Sequence, residues 1–147
     1  MKIVSACLVG CKCRYDNQSA LHSKVENLVQ SRQAVPVCPE QFGGLPTPRN
    51  PAEIVGGDGF DVLDGNAKVI DSEGNDVTQE FIDGAYRALN VAQTIGATTA
   101  ILKKNSPSCG SDLIYDGSFS GMKKEGVGVT VALLLRNGLT VTSEDGD

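Results

Sequence analysis

The chain has 147 residues, of which 40% are hydrophobic and 21% charged, with a formal net charge of −5, five cysteines and no tryptophan. That length fits one domain able to bury its core without disulfide staples. The acidic balance and the scarcity of aromatics argue against nucleic acid or an anionic membrane as the main partner, and no apolar run approaches the ~20 residues of a bilayer span. The N-terminus enters a strand at once without a signal-peptide pattern, so the expected compartment is the cytoplasm, with the protein a monomer or homodimer. In a reducing compartment, five cysteines point to a metal, a cluster or a catalytic thiol rather than a disulfide framework, although a free cysteine also serves as a small core hydrophobe.

Residues 1–5 read as a short, apolar first strand fit for the centre of a sheet. A loop rich in reactive side chains follows, from Cys7 through Cys11, Cys13, Arg14, Tyr15 and Asp16 to Asn17. Leu21, Val25, Leu28 and Val29 recur at helical spacing, with Ser19 or Ser23 as N-cap, and the helix ends near Arg32. Residues 34–37 form the second strand. Residues 38–57, with four prolines and four glycines, read as one long loop, and long ordered loops are more often functional than decorative. Phe60 to Ile70 reads as a β-hairpin turning at Asp64-Gly65-Asn66. Asp76 or Thr78 then caps a helix whose apolar stripe runs from Phe81 to Ile95, and Gly96 ends it.

The strand at 98–102 opens into Lys103-Lys104-Asn105-Ser106-Pro107-Ser108-Cys109-Gly110, because Pro107 stops any further pairing. Residues 114–121 are turn-rich. Residues 127–137 form a helix apolar nearly all round, capped by Gly138, and residues 139–142 form the last strand. The acidic tail from Ser143 to Asp147 is expected to fray. This order implies an α/β fold with parallel strands joined by right-handed crossovers.

In such open sheets, ligands bind beyond the carboxyl ends of the strands. Cys7, Cys38 and Cys109 all fall at strand exits. Three thiolates suit a soft metal or an iron–sulfur cluster, and no fourth ligand is evident; His22, the sole histidine, reads as a surface residue. A site closed by three ligands leaves one position open, which marks catalysis rather than structure. Cys11 and Cys13 fit no trusted metal spacing and read as spare thiols. Glu40 reads equally as a proton shuttle beside the thiols or as a solvated loop carboxylate. Ser106 and Ser108 either orient a substrate or close the proline turn, and Arg14, Arg49 and Lys104 either hold an anionic group or line a rim. Gly126-Val127-Gly128 before a helix offers backbone N–H groups to an anion.

Taken together, Ser5-Ala6-Cys7-Leu8, Arg14-Tyr15-Asp16, Cys38-Pro39-Glu40, the Gly43 to Arg49 run, Ser106 to Gly110 and Tyr115-Asp116-Gly117 resemble the thiouracil desulfidase family over essentially the whole chain. Asn17 stands where glycine is common in that family, and Cys11 is an extra thiol. The resemblance implies a single Rossmann-like domain over residues 1–147, a three-layer sandwich with a mostly parallel sheet and an inserted hairpin. It implies a [4Fe-4S] cluster on Cys7, Cys38 and Cys109, with Glu40 and Ser106 catalytic. Arg14, Tyr15, Asp16, Ser108 and Lys104 are then the candidate substrate contacts. The implied activity is removal of sulfur from a thiolated nucleobase, 2-thiouracil to uracil, without net redox change. The competing expectation is a metal- or redox-sensing module in which Cys11 and Cys13 condense on oxidation.

Overall fold

A computed structural model describes residues 1–146. Four parallel strands form the central sheet: β1 (Lys2–Ser5), β2 (Ala34–Val37), β5 (Thr99–Leu102) and β8 (Thr140–Ser143), in the order β2-β1-β5-β8. Pro36 sits in β2, opposite Val4, and an edge strand is where a sheet tolerates proline. The strands alternate their side chains between two cores. Ile3, Val37, Ala100 and Leu102 meet α4 (Thr78–Thr94) and α5 (Val129–Arg136) on one face. Val4 and Ala34, with Ile101, meet α1 (Ser23–Gln30) on the other. The result is helix, sheet, helix, as expected. Burial on both faces is what made these strands read as continuous apolar runs.

Several expectations change. Residues 60–70 are not a hairpin. Gly59–Leu63 is a helix, α3, because Asp58 caps it: its Oδ1 accepts from the Phe60 and Asp61 amides at 3.0 and 3.5 Å, while Asp61 Oδ2 accepts from the Asp58 amide at 2.9 Å. This reciprocal capping box outweighs the Asp-Gly-Asn turn signal. The inserted antiparallel ladder exists one strand earlier. It pairs β3 (Ala52–Val55) with β4 (Lys68–Asp71), with α3 between them. The loop at 38–57 therefore contains β3, and it opens with a one-turn helix, α2 (Pro39–Phe42). The turn-rich segment forms a second small ladder, β6 (Leu113–Tyr115) with β7 (Lys123–Glu125).

Capping also differs in detail. His22, not a serine, occupies the N-cap of α1, and Leu21 lies outside the helix, exposed. Val77 is the N-cap of α4, while Asp76 Oδ1 accepts from the Thr78 amide at 3.0 Å. Gly96 and Gly138 end their helices with φ of 69° and 84°, as expected. The acidic tail is pinned where the sequence suggests fraying. Glu144 pairs with Lys103 at 3.0 Å, and Asp145 with Lys104 at 2.8 Å. Asp147 lies outside the described residues.

Candidate active site

Three of the sheet's strand exits meet at one cavity of about 710 Å³. After β1 the chain makes a 3-10 turn, Ala6–Val9, and reverses at Gly10, whose φ is 97°. The Cys7 carbonyl accepts from the Ala20 amide at 2.8 Å, which holds the turn against the sheet edge. After β2, Cys38 is the N-cap of α2, and Glu40 lies in that helix's first turn. Two glycines press α2 onto α4. A Cβ on Gly43 would lie 1.9 Å from the Glu80 carbonyl oxygen, and one on Gly84 would lie 1.9 Å from that of Pro39. Nothing larger than hydrogen fits either place.

The Cys109 loop after β5 is held by its own serine and by α5. Ser106 Oγ accepts from the Ser108 and Cys109 amides, both at 3.1 Å. The first amides of α5 are directed at this loop: Gly128 donates to Gly110, Val129 to Pro107 and Thr130 to Ser108, at 2.8–2.9 Å. The Gly126 to Gly128 stretch is therefore no anion site, since loop carbonyls already occupy these donors. Ser5 Oγ accepts from the Lys103 amide at 2.9 Å and so ties the ends of β1 and β5 together.

Cys7, Cys38 and Cys109 all line the cavity, as do Glu40, Ser106, Arg14, Tyr15 and Lys104. Asp16 and Ser108 do not. Asp16 Oδ1 accepts from the Gln18 amide at 3.0 Å in an exposed turn. Ser108 is fully buried, with its hydroxyl 2.7 Å from Thr130 Oγ1. The ammonium of Lys104 is engaged by Asp145 on the rim. One residue enters that the spacing gave no reason to place here, and another, expected to hold an anionic group or line a rim, takes a different role. Cys13 lines the cavity, buried. Arg49 reaches back from the proline loop and bonds Glu40. Only the reversal at Gly10 and the return of the proline loop bring them in, and neither has a local sequence signature. Cys11 is exposed, while Cys13 is buried in the wall.

The electrostatics are those of crowded acids. The Cys13 thiol is pushed up to about 12; its contact with Cys38 pulls down, but Cys7, burial and the neighbouring thiols outweigh it. Cys38 is driven far above the ordinary thiol range by its contact with Cys13, by burial and by Glu40. Cys109 moves the same way, chiefly by burial and then by Glu40, against hydrogen bonds from Ser5 and Ser108. Cys13, Cys38 and Cys109 thus favour the protonated thiol, and a coordinated metal reverses this preference by stabilising thiolates. The donor set fits a soft, positively charged group. Among the described residues, no three His, Cys, Asp or Glu side chains close round a point that could hold one metal ion. Three thiols delivered from separate strand exits to one cavity suit an iron–sulfur cluster, whose iron atoms take thiolate ligands. Glu40 adds the other half of the site. Its Oε2 is paired with Arg49 at 2.9 Å, and its buried Oε1 has no partner.

A twisted parallel sheet that gathers soft donors beyond its strand ends defines an α/β protein with a thiol-lined ligand pocket. Comparison with known proteins supplies the family: the chain matches 2-thiouracil desulfurase over residues 3–146, and it belongs to that family. It is 51% identical over 145 residues to the uncharacterized protein YbbK of Bacillus subtilis (strain 168), covering 99% of this chain and 96% of that one. It also matches a solved structure, that of the [4Fe-4S]-dependent thiouracil desulfidase TudS. The TM-score is 0.85 and the identity 46%, over 97% of this chain and 89% of the other.

Proposed function

We propose that the protein is a [4Fe-4S]-dependent desulfidase that converts a thiolated nucleobase of the 2-thiouracil kind to its oxo form by non-redox hydrolysis. The observation that carries this reading is the meeting of three strand-exit cysteines and a carboxylate with a free, buried oxygen on one cavity. The reaction balances without an external electron donor: thiocarbonyl plus water gives carbonyl plus hydrogen sulfide.

Cys7, Cys38 and Cys109 would hold the cluster. When bound, it supplies a soft Lewis acid for the thiocarbonyl sulfur. Glu40 Oε1 is the base that takes the proton of the attacking water, since its other oxygen is committed to Arg49. Ser106 Oγ already accepts two amide hydrogens, which directs its own proton outward to a substrate or water oxygen. Arg14 and Tyr15 line the cavity and contact the base, and Lys104 bounds its rim. Asp16 and Ser108 support the site through the turn and the buried loop that they hold. The acidic charge favours a free small molecule over a tRNA. No helix of the described chain is long and apolar enough to cross a membrane. We place the enzyme in the cytoplasm as one domain, monomer or homodimer.

Anaerobic reconstitution with iron and sulfide tests the reading. The wild type is expected to gain a broad visible absorbance and to turn 2-thiouracil into uracil, while Cys109→Ala loses both. Glu40→Gln is expected to keep the absorbance and lose about 10²–10⁴-fold in rate. Retention of absorbance and turnover by Cys109→Ala would refute the proposal.

A further inference from the structure

Arg49 comes from the proline loop, far from any cysteine in sequence, and its side chain is only 7% exposed. Its guanidinium is used in two directions. Nη2 donates to Glu40 Oε2 at 2.9 Å. Nη1 donates to the Cys13 carbonyl at 3.1 Å, to Thr47 Oγ1 at 3.2 Å and to the Pro46 carbonyl at 3.3 Å. Its backbone amide donates to the Tyr15 carbonyl at 2.8 Å. One residue thus fastens the Cys13 loop, the proline loop and the first turn of α2 to each other. The guanidinium fork is planar and rigid, so bonds fixed at Nη1 also fix where Nη2 points. The Glu40 carboxylate is then held by one oxygen only; the other is buried without a partner, on a side chain that lines the cavity.

We infer that Arg49 is a positioning residue of the desulfuration reaction: anchored through Nη1 to the loop carbonyls, it fixes the Glu40 carboxylate with one oxygen bound and the other kept unpaired, as a proton acceptor in the wall of the thiol-lined cavity. This rests on the reading of Glu40 as the base. A lysine in its place can pair with Glu40 but cannot fork to the loop carbonyls at the same time. Its ammonium is a point charge on a flexible stem and leaves the carboxylate free to turn.

The test compares wild type with Arg49→Lys, and with Arg49→Gln as a second variant that keeps a donor and removes the charge. Each is reconstituted anaerobically, its iron and sulfide content is measured, and kcat and KM for 2-thiouracil are determined. Each is also crystallised without cluster to locate the Glu40 carboxylate. The expected result for Arg49→Lys is wild-type iron content, a KM within about threefold, a kcat lower by about 10- to 100-fold, and a rotated Glu40. Two kinetic results would overturn the inference: a kcat within about twofold of wild type at full iron, or a rate that falls only in proportion to lost iron. An unmoved Glu40 carboxylate in both variants would do the same. If the wild type itself fails to turn over 2-thiouracil, the functional reading falls instead, and the position of Glu40 still decides whether Arg49 orients it.

Discussion

Ser108 directly precedes Cys109, yet its hydroxyl is buried against Thr130 and is not part of the cavity lining. Two serines one residue apart therefore divide the work. Ser106 faces the cavity, while Ser108 locks the loop to α5. Ser108→Ala is expected to cost about 1–3 kcal/mol of stability, because the buried Thr130 hydroxyl loses its partner, and to leave KM for 2-thiouracil unchanged. Denaturant unfolding and steady-state kinetics on the one variant check both. From sequence the two serines were equivalent: each flanks Pro107, and each can bond a nearby amide. Only the packing of α5 distinguishes them. The same holds for the thiols. Cys7, Cys38 and Cys109 could be grouped because strand exits converge by topology, whereas Cys13 reaches the wall through a chain reversal that no pattern records.

At the level of elements, the site depends on how closely α2 lies on α4. Gly84→Ala would bring a methyl into the Pro39 carbonyl, between Cys38 and Glu40. The expected outcome is a loss of about 1–3 kcal/mol and a displaced α2. Reconstituted iron per chain, measured beside the melting curve, should fall with it. Glycine inside a helix reads from sequence only as a weak spot, so this contact was invisible, as was the matching role of Gly43. The four parallel strands and the helices α1, α4 and α5 are legible because burial on both faces and helical apolar spacing are strong periodic signals. The ladder β3–β4 lies on residues other than those its sequence suggests. Asp64-Gly65-Asn66 is a good hairpin turn locally, and the capping box at Asp58 and Asp61 is visible only to a reader looking for a helix of five residues. β6 and β7, three residues each, are too short to carry a period.

Across the whole molecule, the three cysteines proposed as ligands belong to three successive crossovers of the sheet, following β1, β2 and β5. A group bound to all three adds a further tie between segments already joined by hydrogen bonds and packing, and it binds the folded chain alone. Loading the cluster is therefore expected to raise the melting temperature by several degrees, and chelation to reverse the gain. Anaerobic calorimetry of the same sample before and after reconstitution measures it. An unchanged melting temperature at full iron content would mean that the cysteines hold the group without joining those segments.

The final residues carry a consequence for what may enter. Glu144 and Asp145 neutralise Lys103 and Lys104, both of which border the cavity mouth. These two ammonium groups are thereby balanced, which weakens their pull on phosphorylated competitors of an uncharged heterocycle. A chain clipped after Ser143 would unmask two ammonium groups there, and traffic through the opening would begin to sort by charge.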